Sequence, residues 1–364
     1  MGIPLGARRQ LRTLGVLAGQ AGIRIRLSSF IGGLRARLVH GPRAESVSNS
    51  VVEPHAVTGE SIGPAEDDNR GVFGEFRFTC HGGTRHYKLF RPALPSSTIM
   101  PLLVMLHGCK QTPDDFALGT RMNDFARRDG FAVVYPAQSR LHNIARCWNW
   151  FRPSDQSRGQ GEPEIIALLT QDLVKRYAFD PARVYVAGLS AGGAMAAILG
   201  DAYPDVYAAV GVHSGMPHGV AVDLASALAL MQHGRVRVPR DARVSARGTP
   251  VIVFHGDADT TVSPRNATQV YARSRGNPGA PALSDHTDVH ESVESGLVPG
   301  GHTFTRTRWF GADSVPTSEL WVVHKSGHAW SGGNPRGSYT DPNGPDASAE
   351  MLRFFAAHRL KETT

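Results

Sequence analysis

Short apolar runs alternate with amphipathic segments through most of this 364-residue chain, and this alternation most constrains its fold. Continuous apolar runs of this length are typical of strands covered on both faces. Strands that alternate with helices predict a parallel sheet with helices on both sides. We therefore expect an α/β fold with a mostly parallel central sheet. The runs lie at 101–107, 131–136, 184–187, 207–213, 251–255 and 320–324.

Other segments complete this outline. Two strands near 73–78 and 86–92 are joined by the turn Gly82-Gly83, and apolar residues at i, i+3 and i+4 predict helices. We expect the segments 220–249 and 277–300, which lack a regular pattern, to form loops over one edge of the sheet. The predicted helices span 114–129, 163–177, 191–200 and 347–360.

The positive charge is confined to the amino-terminal segment. Residues 1–44 contain eight arginines and no Lys, Asp or Glu, so the other residues carry 31 of the 39 basic side chains against 32 acidic ones. The rest of the chain gives no electrostatic reason to expect nucleic-acid binding. We predict an arginine-rich arm at 1–44, disordered or partly helical, a linker at 45–72 and a single catalytic domain at 73–360. A basic segment that touches a membrane surface is the alternative for the arm. No apolar run approaches the roughly 20 residues of a transmembrane helix.

The sequence Gly188-Leu-Ser-Ala-Gly192 follows the apolar run at 184–187 and precedes a small-residue helix. Glycines two positions before and after Ser190 allow backbone segments to approach closely. A strand, sharp turn and helix of this kind present a nucleophilic serine, and the N–H of the next residue, Ala191, can face an oxyanion. A simple glycine-rich turn is the alternative.

Two further polar residues follow predicted strands. Asp259 comes after the strand at 251–255, and His328 comes after the strand at 320–324. The order Ser, Asp, His is that of α/β-hydrolases, and the carboxyl ends of parallel strands form the usual site of an open α/β sheet. We predict that Ser190 is the nucleophile, that His328 is the general base and acid, and that Asp259 orients the histidine.

Each assignment has a competitor. Asp257 lies in the same loop as Asp259, and we expect it to hold the loop by accepting backbone N–H groups. His324 competes with His328, but it lies in the predicted strand.

The loop after the strand at 101–107 should supply the second oxyanion donor. We assign this role to the Cys109 N–H, opposite the Ala191 N–H, because an early strand of this fold supplies a donor that faces the turn. Tryptophans on neighbouring loops, Trp148, Trp150 and Trp330, either bind an apolar substrate or form a buried cluster.

The chain has three cysteines, which excludes a disulfide-dense scaffold and a Cys-x-x-Cys metal site. Cys109 and Cys147 lie in loops that we expect near the site, and they are the preferred disulfide pair. Such a pair implies an oxidising compartment. Buried free thiols are the alternative.

Five motifs together resemble the polyhydroxybutyrate depolymerase-type esterases of the α/β-hydrolase superfamily. They include His-Gly-Cys-x-Gln, Arg-Cys-Trp-Asn-Trp-Phe and Gly-Leu-Ser-Ala-Gly-Gly, followed by His-Gly-x-x-Asp-x-x-Val and Gly-His-Ala-Trp-Ser-Gly-Gly. The resemblance covers about residues 73–360. The motifs begin at residues 107, 146, 188, 255 and 327.

The resemblance implies a serine esterase without a cofactor or metal that hydrolyses poly(3-hydroxybutyrate) or hydroxyalkanoate oligomers. Relatives with similar motifs act on feruloyl or acetyl esters of plant polysaccharides, which gives a second hypothesis. A non-catalytic protein that binds a membrane or nucleic acid through its basic arm is a third. The family favours an extracellular or periplasmic location, whereas the absence of a clear signal peptide leaves a cytoplasmic one open. The sequence does not define the oligomeric state.

Overall fold

The computed structural model describes residues 60–61, 66–67, 71–95, 97–234, 248–275, 290–311 and 314–361. The predicted arm at 1–44 lies outside the described residues. The helices are α1 (Pro113–Thr120), α2 (Met122–Asp129), α3 (Gly161–Tyr177), α4 (Ala191–Ala202), α5 (Leu224–His233), α6 (Arg265–Ser274) and α7 (Ala347–Ala356).

A 12-stranded sheet forms the centre of the described fold, and a two-stranded sheet lies apart from it. The strands before Ser190 are β1 (Glu60–Ser61), β2 (Glu66–Asp67), β3 (Gly71–Cys80), β4 (Gly83–Pro92), β5 (Leu102–Leu106), β6 (Ala132–Pro136) and β7 (Val184–Leu189). The later ones are β8 (Ala209–His213), β9 (Val251–Gly256), β10 (His290–Leu297), β11 (Thr303–Phe310), β12 (Pro316–Val323), β13 (Trp330–Ser331) and β14 (Thr340–Asp341).

The middle of the large sheet is parallel and both of its flanks are antiparallel. Strands β6, β5, β7, β8, β9 and β12 pair in that order and run in parallel. On one side β4, β3 and the two short strands add antiparallel pairs, and on the other side β11 and β10 do so. The expected parallel arrangement therefore holds for the six central strands, and the flanks of the sheet are antiparallel.

Helices cover both faces of the sheet, as predicted. Successive residues of β5 alternate between two cores: Leu102 and Val104 join one, and Leu103 and Met105 join the other. Helices α3, α4 and α6 contribute to the first core, and helices α1, α2 and α7 contribute to the second. Because both faces are buried, the strand is apolar at every position.

The predicted helix at 114–129 is two helices. Arg121 separates them with φ 56° and ψ 21°, in the left-handed region that ends helices. The Arg121 guanidinium donates to the Gly332 carbonyl oxygen at 3.0 Å and pairs with Asp346. Contacts distant in the sequence therefore hold this break.

Three segments for which we predict no regular secondary structure contain strands or a helix. Strands β10 and β11 form an antiparallel hairpin that begins within 277–300, and helix α5 lies within 220–249. The linker prediction is also wrong in part, because β1 and β2 pair with β3. Residues 235–247 and 276–289 lie outside the described residues.

Among the described residues, no helix combines the length and apolar character required to cross a bilayer.

Candidate active site

Ser190 stands at a strained turn between β7 and α4. Its backbone has φ 58° and ψ −119°, a region that residues with a Cβ rarely adopt, so neighbouring contacts must hold it. The Ser190 N–H donates to the His213 carbonyl oxygen at 2.8 Å. The structure thus has the predicted strand, turn and helix around this serine.

The flanking glycines bring the turn against the loop after β5. A Cβ added to Gly192 would lie 2.0 Å from the Leu106 carbonyl oxygen, and one added to Gly188 would lie 2.4 Å from the Gly192 carbonyl carbon. Any side chain at either position would therefore push the serine away from the loop that begins at His107.

Asp259 and His328 form a hydrogen-bonded pair in which the carboxylate is buried and the imidazole is partly exposed. His328 Nδ1 lies 2.6 Å from Asp259 Oδ2, and the Asp259 side chain is fully buried. The other oxygen, Oδ1, accepts the N–H groups of Thr261 and Val262, both at 2.8 Å. Burial raises the pKa of Asp259, but hydrogen bonds from His255 and His328 outweigh it and hold the pKa below its ordinary value. The carboxylate is therefore charged, and it fixes the orientation of the His328 ring.

The competing residues form a separate pair near the surface. Asp257 Oδ2 lies 2.8 Å from His324 Nδ1, with the two side chains 41% and 35% exposed. Asp257 Oδ1 accepts the Lys325 N–H at 2.6 Å, which is the loop-holding contact expected for it. The structure thus brings His328 to Asp259 and keeps Asp257 with His324.

All three predicted residues follow the carboxyl ends of strands in one parallel block, β7, β9 and β12. Among the described residues the Ser190 hydroxyl has no hydrogen bond to His328. Catalytic hydrogen bonds are commonly long before substrate binds.

The loop 107–111 has one unused amide beside the turn. The Gly108 N–H donates to Gln111 Oε1 at 2.9 Å, and the Lys110 N–H donates to the Ala145 carbonyl oxygen at 2.7 Å. The Cys109 N–H between them has no partner among the described residues. Ala191 is the first residue of α4, so its N–H has no acceptor within the helix. These are the two amides that the sequence predicted as oxyanion donors.

A disulfide joins Cys109 to Cys147, 38 positions apart, which confirms the preferred pair. Cys80 is a free thiol, and burial raises its pKa. The bridge attaches the unused amide at 109 to the following loop.

His213 is a buried residue of the site that the sequence reasoning did not assign. Its Nε2 accepts the Ser331 N–H at 3.0 Å, so its Nδ1–H donates to the Ser214 hydroxyl at 3.1 Å. Burial lowers its pKa well below the ordinary value, which keeps the ring neutral. His213 therefore connects the Ser190 turn, through its carbonyl oxygen, with the loop after His328. The sequence signal that could have identified His213 is its position as a polar residue at the carboxyl end of an apolar strand.

Glu162 was also missed, and it lies at the centre of a buried network behind the loop 107–111. Its carboxylate accepts the Asn149 N–H at 2.7 Å, pairs with Arg85 at 3.3 Å and accepts from the Gln138 side chain. The Gln138 N–H donates in turn to His107 Nε2 at 3.1 Å. Burial raises the pKa of Glu162. This network fixes the loop that carries Cys147.

The three tryptophans are interior residues. Trp148, Trp150 and Trp330 are 0%, 5% and 1% exposed. Trp148 Nε1–H donates to the His107 carbonyl oxygen at 3.0 Å, and the Trp330 ring stacks on His213 with centroids 5.0 Å apart. The substrate-binding prediction is therefore wrong for these rings, and the alternative of a buried cluster applies.

Comparisons with known proteins connect this site to a family. The family model described as Esterase PHB depolymerase matches residues 85–293. Poly(3-hydroxyalkanoate) depolymerase C of Paucimonas lemoignei is 30% identical over 259 residues, which cover 69% of this chain and 59% of that protein. Feruloyl esterase B of Neurospora crassa is 30% identical over 183 residues, which cover 46% of this chain and 62% of that protein. The chain thus spans about three fifths of the length of these relatives.

Solved structures share the fold. The acetyl xylan esterase from Aspergillus awamori superposes with a TM-score of 0.56 at 17% identity, covering 83% of this chain and 99% of that one. An S-formylglutathione hydrolase from Agrobacterium tumefaciens gives 0.51 at 12% identity, covering 82% and 99%. Both support the α/β-hydrolase fold. Because the family match covers more than half of the chain and includes Ser190 and Asp259, this chain belongs to the Esterase PHB depolymerase family.

Proposed function

We propose that this chain is a serine esterase that hydrolyses ester bonds of poly(3-hydroxybutyrate) or hydroxyalkanoate oligomers. The observation that carries the proposal is the hydrogen bond of 2.6 Å between His328 and the buried Asp259 carboxylate. It lies at the edge of the sheet where the strained Ser190 turn also stands. Family membership gives the reaction class independent support.

The chemistry follows from these groups. His328 Nε2 takes the proton of the Ser190 hydroxyl as the oxygen attacks the ester carbonyl carbon. Asp259 accepts the hydrogen bond from Nδ1–H and stabilises the imidazolium that forms. The proton then passes to the leaving alcohol oxygen as the ester C–O bond breaks. His328 then takes a proton from water as the water oxygen attacks the acyl carbon, and it returns this proton to Ser190 Oγ as the acyl C–Oγ bond breaks and the acid is released.

The N–H groups of Cys109 and Ala191 are the proposed oxyanion donors. Donors aimed in advance at the developing negative charge commonly make the largest electrostatic contribution to such reactions. The disulfide and the Glu162 network hold the first donor, and the start of helix α4 supplies the second.

The relatives favour two substrate classes. The name of the Paucimonas lemoignei relative supports a hydroxyalkanoate polyester, over 69% of this chain. The name of the Neurospora crassa relative supports a feruloyl ester, over 46% of this chain, and a protein named probable acetylxylan esterase A of Aspergillus clavatus is a further relative. We favour the polyester because that similarity covers more of the chain. Release of 3-hydroxybutyrate, compared with ferulate or acetate, from the matching substrates separates these possibilities.

The third hypothesis, a non-catalytic protein acting through its basic arm, makes the opposite prediction. Such a protein would be inert towards p-nitrophenyl butyrate and would bind anionic surfaces in a salt-sensitive way through residues 1–44.

The Cys109–Cys147 disulfide supports an oxidising compartment, because such bonds persist outside the reducing cytosol. We therefore propose an extracellular or periplasmic location.

The decisive test replaces the nucleophile. Ser190→Ala should lower kcat on p-nitrophenyl butyrate by at least about 10³-fold, because the triad acts as a unit. Ser154→Ala, at an exposed serine outside the site, is the matched control and should keep wild-type turnover. Substantial turnover by folded Ser190→Ala would remove this serine from the mechanism.

A further inference from the structure

Two aliphatic side chains on one loop project into solvent. Leu141 and Ile144 are 95% and 89% exposed, which makes them the most exposed large apolar residues in the described part of the chain. A large apolar side chain that stays in water forgoes the free energy of burial. Exposed apolar groups that lie together commonly mark a surface that contacts another molecule.

The loop that carries them, residues 139–147, is held in one conformation. Asn143 Oδ1 accepts the N–H groups of Ala145 and Cys147 at 3.0 and 3.3 Å. Its Nδ2–H donates to Asn149 Oδ1 at 3.1 Å. The Leu141 N–H donates to the Ser139 hydroxyl at 3.1 Å. The two side chains are therefore displayed by an ordered loop, so binding there orders little additional backbone.

This loop is attached to the proposed oxyanion loop. The Lys110 N–H donates to the Ala145 carbonyl oxygen at 2.7 Å, and the Cys109–Cys147 disulfide joins the same two loops. Leu141 and Ile144 are therefore displayed by a loop that is joined directly to the loop carrying the amide at 109.

A third exposed residue, Tyr339, directly follows a residue that is hydrogen-bonded to the proposed oxyanion loop. Gln111 Nε2–H donates to the Ser338 carbonyl oxygen at 3.0 Å. The next residue, Tyr339, is 41% exposed. Its φ of 53° lies in the left-handed region, where a bulky side chain is uncommon. Backbone strain of this kind concentrates at functional sites.

We infer that Leu141, Ile144 and Tyr339 form a polymer-contact surface that binds the apolar face of an aliphatic polyester beside the catalytic residues. The inference rests on the proposed function and names the part of the protein that holds the insoluble substrate. Two of the three side chains are aliphatic and offer no directional hydrogen bond, so they suit a methyl-bearing polyester better than a polysaccharide.

Adsorption measured without hydrolysis tests the inference. In the Ser190→Ala background, the double variant Leu141→Ser/Ile144→Ser should bind amorphous poly(3-hydroxybutyrate) granules at least about tenfold more weakly, because each side chain loses its apolar burial. Ile99→Ser is the matched control. Ile99 is 62% exposed and precedes the amino end of β5, away from the site, so adsorption should persist.

In the active protein, the ratio of polymer turnover to p-nitrophenyl butyrate turnover should fall about tenfold in the double variant. Ile99→Ser should keep the wild-type ratio. Failure of the wild-type protein to hydrolyse p-nitrophenyl butyrate would defeat the proposed function itself. Normal hydrolysis of that ester with undiminished granule adsorption by the double variant would overturn only the polymer-contact surface.

Two further results would also overturn the polyester as the occupant. One is a dimer in sedimentation velocity that the double substitution dissociates. The other is adsorption to phosphatidylcholine vesicles that exceeds adsorption to granules and is lost in the double variant.

Discussion

Asp257 and Asp259 are two positions apart, yet their surroundings differ. Asp259 is fully buried and accepts two backbone N–H groups in addition to His328. Asp257 is 41% exposed and pairs with His324. A partly exposed pair contributes little to stability, whereas a buried carboxylate that orients a base changes the reaction rate.

We therefore expect Asp259→Asn to lower kcat by about 10³- to 10⁴-fold, because the amide no longer holds the required tautomer of His328. Asp257→Asn is the matched control, and its kcat should stay within about threefold of wild type. Steady-state kinetics on p-nitrophenyl butyrate measure both. The reverse ranking would reassign the orienting acid to Asp257.

The buried His107 gives a prediction on pH. Burial lowers its pKa from 6.5 to about 4, so between these values the unfolded chain binds a proton that the folded chain does not. The free energy of unfolding should therefore fall as pH falls from about 6.5 to about 4, by up to about 3 kcal/mol from this group. His107→Gln keeps one donor and one acceptor and does not titrate. Urea unfolding at pH 7.5, 6 and 5 should show a flatter dependence in the variant, and equal slopes would contradict this account.

For individual residues, the sequence predicted the positions of residues that follow strands better than it predicted which side chains are exposed. Ser190, Asp259 and His328 each follow an apolar run, and parallel strands bring such positions to one edge. Trp148 and Trp330 lie in loops, and only the folded chain shows that their rings are buried. The exposure of Leu141 and Ile144 was not predicted, because the local sequence pattern does not show whether an aliphatic side chain in a loop is exposed or buried.

Among the elements, the loops beside the site depend on covalent and buried polar contacts. The disulfide attaches the 139–147 loop to Cys109, and Glu162 holds the following segment through the Asn149 N–H. The predicted helix at 114–129 breaks at Arg121, which takes the left-handed conformation although it is not a glycine, so the residue itself gives no sequence signal of the break. The β10–β11 hairpin was missed because β10 is mostly exposed and polar, so it lacks the alternation by which strands are recognised.

Removal of the disulfide should affect both stability and rate. For a loop of 38 residues, Cys147→Ser should lower the free energy of unfolding by about 4 kcal/mol in the chain-entropy model. We expect kcat to fall more than KM rises, because the proposed role of the Cys109 N–H is to stabilise charge that develops during the reaction. Urea unfolding and steady-state kinetics measure the two effects.

Cys80→Ser, at the free thiol, is the control for this variant and should change neither quantity appreciably. Wild-type kcat in folded Cys147→Ser would show that the oxyanion loop keeps its position without the bridge.

The whole described molecule is joined through Glu319 as well as through its two cores. This fully buried carboxylate in β12 accepts from Arg306 of β11 at 3.1 Å and from Arg353 of α7 at 2.6 Å. It therefore joins the antiparallel flank, the parallel centre and the last helix. The sequence predicted the centre and α7 but not the flank, because charged residues in strands give no apolar signal of their pairing.

Glu319→Gln should lower the free energy of unfolding by about 3 kcal/mol, since it leaves Arg306, which is 12% exposed, and the more exposed Arg353 with an uncharged partner at a fully buried position. Glu294→Gln is the matched control. Glu294 also pairs with Arg306, but it is 44% exposed, so the loss should stay below about 1 kcal/mol. Chemical denaturation compares the two variants. Equal losses would show that Glu319 does not join these parts of the fold.

The positive φ of Ser190 has a consequence for the evolution of proteins related to this chain. Glycine adopts this backbone geometry without the steric cost that serine bears. In the proposed role of Ser190 as nucleophile, selection for hydrolysis favours serine at this position, whereas selection for greater stability favours glycine. A descendant that had abandoned ester hydrolysis would gain from glycine here, so the residue found at 190 records whether turnover is still under selection.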